Sequence, residues 1–167
     1  MVADEPTIKQ LSVITGISIP VLILLLGLLL PFEGKHNKAY VDPVGVVTIC
    51  IGHTATAKAG QYKTDAQCYQ LLAKDLEDGT KAINNYVKVP LSNHLEAALR
   101  SFIFNVGSEN FRKSTLLKKL NNTDYLGACA ELEKWIKATD RNTKQVKILK
   151  GLVNRRAAER NMCEAGL

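Results

Sequence analysis

From Gln10 to Phe32 the chain carries no charge for 23 residues, QLSVITGISIPVLILLLGLLLPF. A helix rises about 1.5 Å per residue, so a segment of this length matches a hydrocarbon core of ~30 Å. A core helix of the same length would have to be buried on every side, which one domain of 167 residues hardly provides. A membrane role is therefore the expectation. The stretch is uneven: Ser12, Thr15, Gly16, Ser18 and Pro20 interrupt its first half, while the second is almost pure leucine. No small-residue cleavage site stands near Leu28–Phe32, which favours an uncleaved signal anchor over a removed signal peptide. Asp4 and Glu5 balance Lys9 and the amino group, so the flank sets no orientation. Residues 1–9 are polar and expected to fray.

The formal net charge is +6, and because residues 1–32 hold only Asp4, Glu5 and Lys9, the rest of the chain carries +7. Such an excess suits an anionic polymer: cell wall, nucleic acid or membrane surface. Lysine and arginine are scattered, without a helix-turn-helix or aromatic-basic motif, so nucleic acid is not the expected partner. The four cysteines, Cys50, Cys68, Cys129 and Cys163, contain no CxxC pair, which argues against a zinc site. Their even number fits two disulfides in an exported domain, with three pairings open; four buried thiols would suit a cytosolic one. No phosphate loop, nucleophile elbow or internal repeat is present, and no metal or organic cofactor is called for.

Directly after the apolar stretch stand Glu33 and Asp42, with no acid between them, and then the β-branched run Val46-Val47-Thr48-Ile49, which reads as a strand. A glycosidase needs one carboxyl that stays protonated to release the leaving oxygen and a second that stays ionised. Two acids nine residues apart, one at a helix end and one beside a strand, can face each other across a cleft. Solvated surface is the plain alternative for either. Glu33-x8-Asp42-x5-Thr48, followed by Gly52-His53-Thr54, resembles the catalytic signature of the phage-type lysozymes, the muramidases that bacteriophages use as endolysins. Ser101-Phe102-Ile103-Phe104-Asn105-Val106-Gly107 and Asn110-Phe111-Arg112-Lys113-Ser114-Thr115-Leu116-Leu117 resemble that family's mid-chain cleft segment. Lys150-Gly151-Leu152-Val153-Asn154-Arg155-Arg156-Ala157-Ala158-Glu159 resembles its C-terminal block.

The resemblance implies an α+β fold, mainly helical and lysozyme-like, with a small antiparallel β-sheet lobe, a C-terminal helical lobe and an N-terminal apolar helix. It divides the chain into an anchor, residues 1–31, and a catalytic domain, residues 32–167. The implied reaction is hydrolysis of the β-1,4 bond between N-acetylmuramic acid and N-acetylglucosamine of peptidoglycan, lysing the host for phage release. Glu33 would be the general acid, kept protonated by the apolar Pro31-Phe32 flank, and Asp42 would orient water with Thr48. The family analogy suggests inversion, with carboxyls ~6.5–9.5 Å apart. By resemblance Asn105 and Ser114 touch saccharide; read on their own residues, one is a helix-ending amide and the other a helix cap. His53 and Asp75 form an ion pair, a structural role preferred over general base. The implied disulfides are Cys50–Cys68 and Cys129–Cys163.

An apolar helix placed directly before the catalytic Glu is similar to the signal-arrest-release endolysins. It implies a tether in the host inner membrane through residues 10–32, with the catalytic domain in the periplasm and a monomer after release. Two departures are that Leu22–Leu30 is more apolar than such segments usually are, and that the segment lacks a cysteine for thiol exchange. A permanent anchor, a membrane-tethered non-catalytic wall-binding module, a lytic transglycosylase and a membrane-permeabilising segment are the rival readings.

Elsewhere, a flexible stretch to Tyr40 and an Asp42–Gly45 turn lead into a small antiparallel hairpin or three-stranded sheet, with Val46, Thr48 and Cys50 sharing a face. Thr64 and Asp65 offer N-caps for a helix carrying Cys68, Leu72, Leu76 and Ile83. Ser92 caps a core helix with Leu95, Leu99, Phe102 and Ile103, and Leu126 to Ile136 forms another, with Trp135 as a core anchor. Thr139–Lys147 reads as a loop. The last helix, Lys150 to Met162, sets Arg155, Arg156 and Arg160 to pair with Glu159 and Glu164.

Overall fold

The computed structural model describes residues 3–42, 45–139 and 144–167. The charge-free stretch is not one helix. It is shared between α1 (Glu5–Thr15) and α2 (Ile19–Glu33), whose axes differ by 107°. The polar residues that interrupt the stretch make the break. Gly16, at φ 69°, ends α1 and returns its N–H to the Ser12 carbonyl. Thr15 Oγ1 donates to the Leu11 carbonyl at 2.7 Å and accepts from the Ile17 N–H at 3.2 Å, while Ser12 Oγ donates to the Ile17 carbonyl at 2.7 Å. Pro20 then stands in the first turn of α2, where its missing N–H costs nothing. Asp4 caps α1 by accepting from the Thr7 N–H at 3.2 Å, so residues 5–9 are helical rather than frayed.

No single helix among the described residues is long and apolar enough to cross a membrane. Instead α2 is a core helix, with Leu22, Leu25, Leu26 and Leu29 at 0% exposure. Its 15 residues are few enough to be surrounded, and Ile23 and Gly27 take the outward positions. The core it enters joins Ile8 and Leu11 of α1 to Leu72 and Leu76 of α3 (Asp65–Tyr86) and Ala97 of α4 (Asn93–Val106). The expectation that a domain this small lacks room for the stretch therefore fails: shortening and bending the helix supplies the room.

α4 is common to both cores. Ala97 faces α2, while Leu99 and Phe102 face a second cluster built with Phe111 of α5 (Ser108–Lys113), Leu116 and Leu120 of α6 (Thr115–Asn121), Cys129 of α7 (Tyr125–Glu131) and Cys163 of α8 (Lys150–Glu164). Trp135 meets Phe102 edge-on, ring centroids 5.3 Å apart, as a core anchor should. The helix expected to reach Ile136 stops at Glu131 and continues as one 3₁₀ turn, Leu132–Lys134.

Two small antiparallel sheets complete the fold. β1 (His36–Val41) pairs with β2 (Val47–Cys50), so the stretch expected to be flexible up to Tyr40 is a strand. Of the turn expected over Asp42–Gly45, Pro43 and Val44 lie outside the described residues. β3 (Lys137–Thr139) and β4 (Val146–Ile148) pair where a loop is expected, and residues 140–143 between them lie outside the description. Cys50–Cys68 ties β2 to α3 and Cys129–Cys163 ties α7 to α8, spanning 18 and 34 residues.

Two stability outcomes follow from this packing, both read as urea unfolding free energies. Leu25→Ala should cost about 2–5 kcal/mol, because the cavity opens where α2 meets its neighbours. Replacing Cys129 and Cys163 together by serine should cost about 2–5 kcal/mol.

Candidate active site

Glu33 is the last residue of α2, and Gly34, at φ 69°, turns the chain away behind it. The carboxyl then lies against Gly52. A Cβ built on Gly52 would sit 2.6 Å from Glu33 Oε2, so only glycine lets the strand end and the acid approach this closely. The other oxygen, Oε1, accepts a hydrogen bond from Arg155 Nη1 of α8, and the same guanidinium stands 5.6 Å from the centre of the Phe32 ring. The surroundings are thus not the apolar flank expected: Pro31 points to solvent and an arginine holds the acid.

Asp42 sits in the turn after β1, where its backbone and side chain are both engaged. Its N–H donates to the Val46 carbonyl at 2.9 Å, and its Oδ1 accepts from the Val46 N–H at 2.8 Å. Thr48, 4% exposed, stands directly across the sheet from Tyr40, and its hydroxyl donates to the Val46 carbonyl at 3.2 Å. Glu33, Tyr40, Asp42, Thr48, Phe104 and Asn105 line one cleft of about 490 Å³. A recess of about 350 Å³ shares Gly52, Thr54 and Phe104 with it and runs on to Lys74, Asp75 and Asp78.

The Gly-His pair acquires a physical role here. His53 exchanges backbone hydrogen bonds with Ile49 at 2.9 and 3.0 Å, folding the strand end back on itself. Its ring, 3% exposed, contacts Asp75 of α3 at 2.8 Å through Nδ1 and Thr56 Oγ1 at 2.8 Å through Nε2. Burial pushes the Asp75 carboxyl up and the hydrogen bond from His53 opposes it. His53 thereby pins Gly52 against Glu33, and both ring nitrogens are occupied outside the cleft.

Behind Glu33 lies a buried charge network. Arg155 reaches Glu159 at 3.1 Å and Arg156 reaches it at 3.0 Å; Ser101 Oγ donates to the same carboxylate at 2.7 Å. Burial pushes the Glu159 carboxyl up and pulls Arg156 down to about 10, still protonated at neutral pH. Arg156 Nη2 also donates to Asn105 Oδ1 at 2.8 Å, which fixes that exposed amide at the cleft edge.

Of the residues singled out in the sequence, Glu33, Asp42, Thr48 and Asn105 come together in the cleft, and His53 and Asp75 pair beside it. Ser114 does not join them. It is 4% exposed, accepts from the Leu117 N–H at 3.1 Å and donates to the Phe111 carbonyl at 2.7 Å, so it is a buried helix cap. Sequence reasoning paired Arg155, Arg156 and Arg160 with acids on their own helix, and those pairs exist. It missed the contact from Arg155 to Glu33, which spans 122 residues of sequence. No group of three or more His, Cys, Asp or Glu among the described residues is placed to hold a metal ion.

Gly52→Ala should lower kcat by on the order of 10²-fold on purified cell wall, since a displacement near 1 Å of an acid is enough for that. Arg155→Met should lower stability by about 3–5 kcal/mol in urea unfolding, because it strips one cation from the buried Glu159.

Residues 31–159 match the family model described as phage lysozyme. Over 132 residues the chain is 44% identical to the SAR-endolysin of Bacteriophage PS119, covering 78% of this chain and 75% of that one. Among solved structures, the muramidase domain of SpmX from Asticaccaulis excentricus is 34% identical and superposes with a TM-score of 0.72, covering 82% of this chain and 92% of its own. The active form of the P1 phage endolysin Lyz, at 23% identity, shares the fold with a TM-score of 0.77 and covers 95% of this chain and 94% of its own. The chain belongs to the phage lysozyme family and is a peptidoglycan-lytic endolysin, a glycoside hydrolase.

Proposed function

We propose that the cleft hydrolyses the β-1,4 bond between N-acetylmuramic acid and N-acetylglucosamine, with Glu33 delivering a proton to the glycosidic oxygen and Asp42 holding the attacking water with Thr48. The observation that carries this reading is the gathering of two carboxyls and a hydroxyl in one cleft from a helix end, a turn and a strand. Arg155 occupies Glu33 Oε1, which leaves Oε2 to carry the proton. Asn105, with its oxygen bound to Arg156, offers its amide N–H groups to the saccharide. A lytic transglycosylase has no need to hold a water, so the Asp42–Thr48 pair favours hydrolysis. A wall-binding module has no need of the acid.

The division of labour along the chain is part of the same proposal. Residues 1–31 first tether the chain in the host inner membrane, with residues 32–167 on the periplasmic side, and afterwards leave the bilayer to become α1 and most of α2 of a monomer. The SAR-endolysin name of a relative 44% identical supports this, as does the charge-free run of 23 residues. As a straight membrane helix the segment would end with Glu33 at the interface, away from Gly52 and Arg155. Catalysis would therefore wait for release.

Mass-spectrometric analysis of the fragments released from peptidoglycan tests the chemistry. Reducing-end N-acetylmuramic acid, absent with Glu33→Gln, is the expected result. Anhydro ends would make it a transglycosylase, and no fragments from folded protein would favour the binding module. Membrane fractionation tests the tether: activity should reside in the soluble fraction while the membrane fraction holds intact, inactive protein. A chain lacking residues 1–31 should fail to fold, because Leu22, Leu25, Leu26 and Leu29 go with it.

A further inference from the structure

Tyr40 has no part in the scheme above, yet it lines the cleft. Its position is set by register: Tyr40 of β1 is paired with Thr48 of β2, and directly opposite residues of an antiparallel pair send their side chains to the same face. The phenol therefore enters the cleft beside Thr48, with Glu33 and Asp42 among the other lining residues. Its ring is supported from behind. His36 packs against it with centroids 4.6 Å apart at 55°, and Gly34 leaves space for that imidazole, since a Cβ there would come within 2.7 Å of His36 Nε2.

The hydroxyl is held as a donor. Burial, then the charges of Glu33 and Asp42, push the phenol up from its ordinary value, so it keeps its proton wherever the enzyme works. Among the described residues no protein acceptor takes that O–H, whereas Thr48 and Asp42 are both engaged with Val46. A half-buried phenol with an oriented ring and an unclaimed proton is suited to an oxygen of a bound ligand.

We propose that Tyr40 is a substrate-positioning residue whose hydroxyl donates a hydrogen bond to an oxygen of the sugar lying between Glu33 and Asp42. The inference rests on the glycosidase reading of the cleft. It adds a contact from the β-sheet to those offered by the other lining residues. The ring of Tyr40 fixes the height of the sugar in the cleft, and the O–H discriminates a saccharide oxygen from an apolar group.

Tyr40→Phe in the full chain removes only the oxygen and keeps the ring against His36. On purified peptidoglycan, kcat/KM should fall about tenfold, with the thermal midpoint unchanged. In the Glu33→Gln background, which removes turnover, adding Tyr40→Phe should weaken binding of a soluble, purified glycan-strand fragment by a similar factor. A wild-type kcat/KM and equal fragment binding would overturn the proposal, as would a loss matched by a fall in the thermal midpoint. Failure of the glycosidase reading is distinct: the unsubstituted protein would then release no reducing ends at all.

Discussion

The contact between Glu33 and Arg155 joins the end of α2 to α8, and much of the architecture exists to hold it. Arg155 cannot be moved independently, because Glu159 takes it from one side and the Ser101 carbonyl accepts from it at 3.3 Å on the other. Glu159 is fully buried and shared between two arginines and a serine hydroxyl. Placing three charged groups in the interior carries a large desolvation cost, seen in the raised Glu159 and the lowered Arg156. Such a network is a weak source of stability. Its value lies in geometry: α4, α8 and the end of α2 meet in one arrangement only, and the acid points one way.

That arrangement depends in turn on where α2 is solvated. Its leucines are satisfied by the protein core, where burial away from water stabilises them at about 25 cal/mol per Å². The polar residues of the stretch serve the bend. Ser12, Thr15 and Gly16 carry the hydrogen bonds of the break between α1 and α2. The bend is what lets the apolar run be buried within the protein core.

Much of the site was legible from the chain because its parts are local. Glu33, Asp42 and Thr48 lie within 16 residues, on a helix end, a turn and a strand whose signals are short-range. The capping of α3 by Thr64 and of α4 by Ser92 is also local chemistry, and both caps form. Errors arose where a residue's local and distant options are equally good. Ser114 is a hydroxyl at a helix start, and local geometry claimed it as a cap rather than a ligand. The polar stretch before Tyr40 suggests flexibility; it becomes a strand through pairing with β2 and the Lys38–Tyr62 bridge. The stretch from Thr139 onward is polar, yet β3 and β4 find each other across it.

The sequence by itself determined the chemistry on offer: two acids and a hydroxyl at fixed spacing, a glycine before a histidine, four cysteines and an uncharged run too apolar to face water. These follow from side-chain identity and short-range periodicity, which tertiary context leaves unchanged. Only the tertiary structure decided that the uncharged run bends by 107° into the core and that Gly52 admits the Glu33 carboxyl. It likewise decided that Arg155 crosses 122 residues to hold that carboxyl and that Tyr40 stands opposite Thr48. Those outcomes depend on which surfaces exclude water together, and that is a property of the assembled interior rather than of any segment in it.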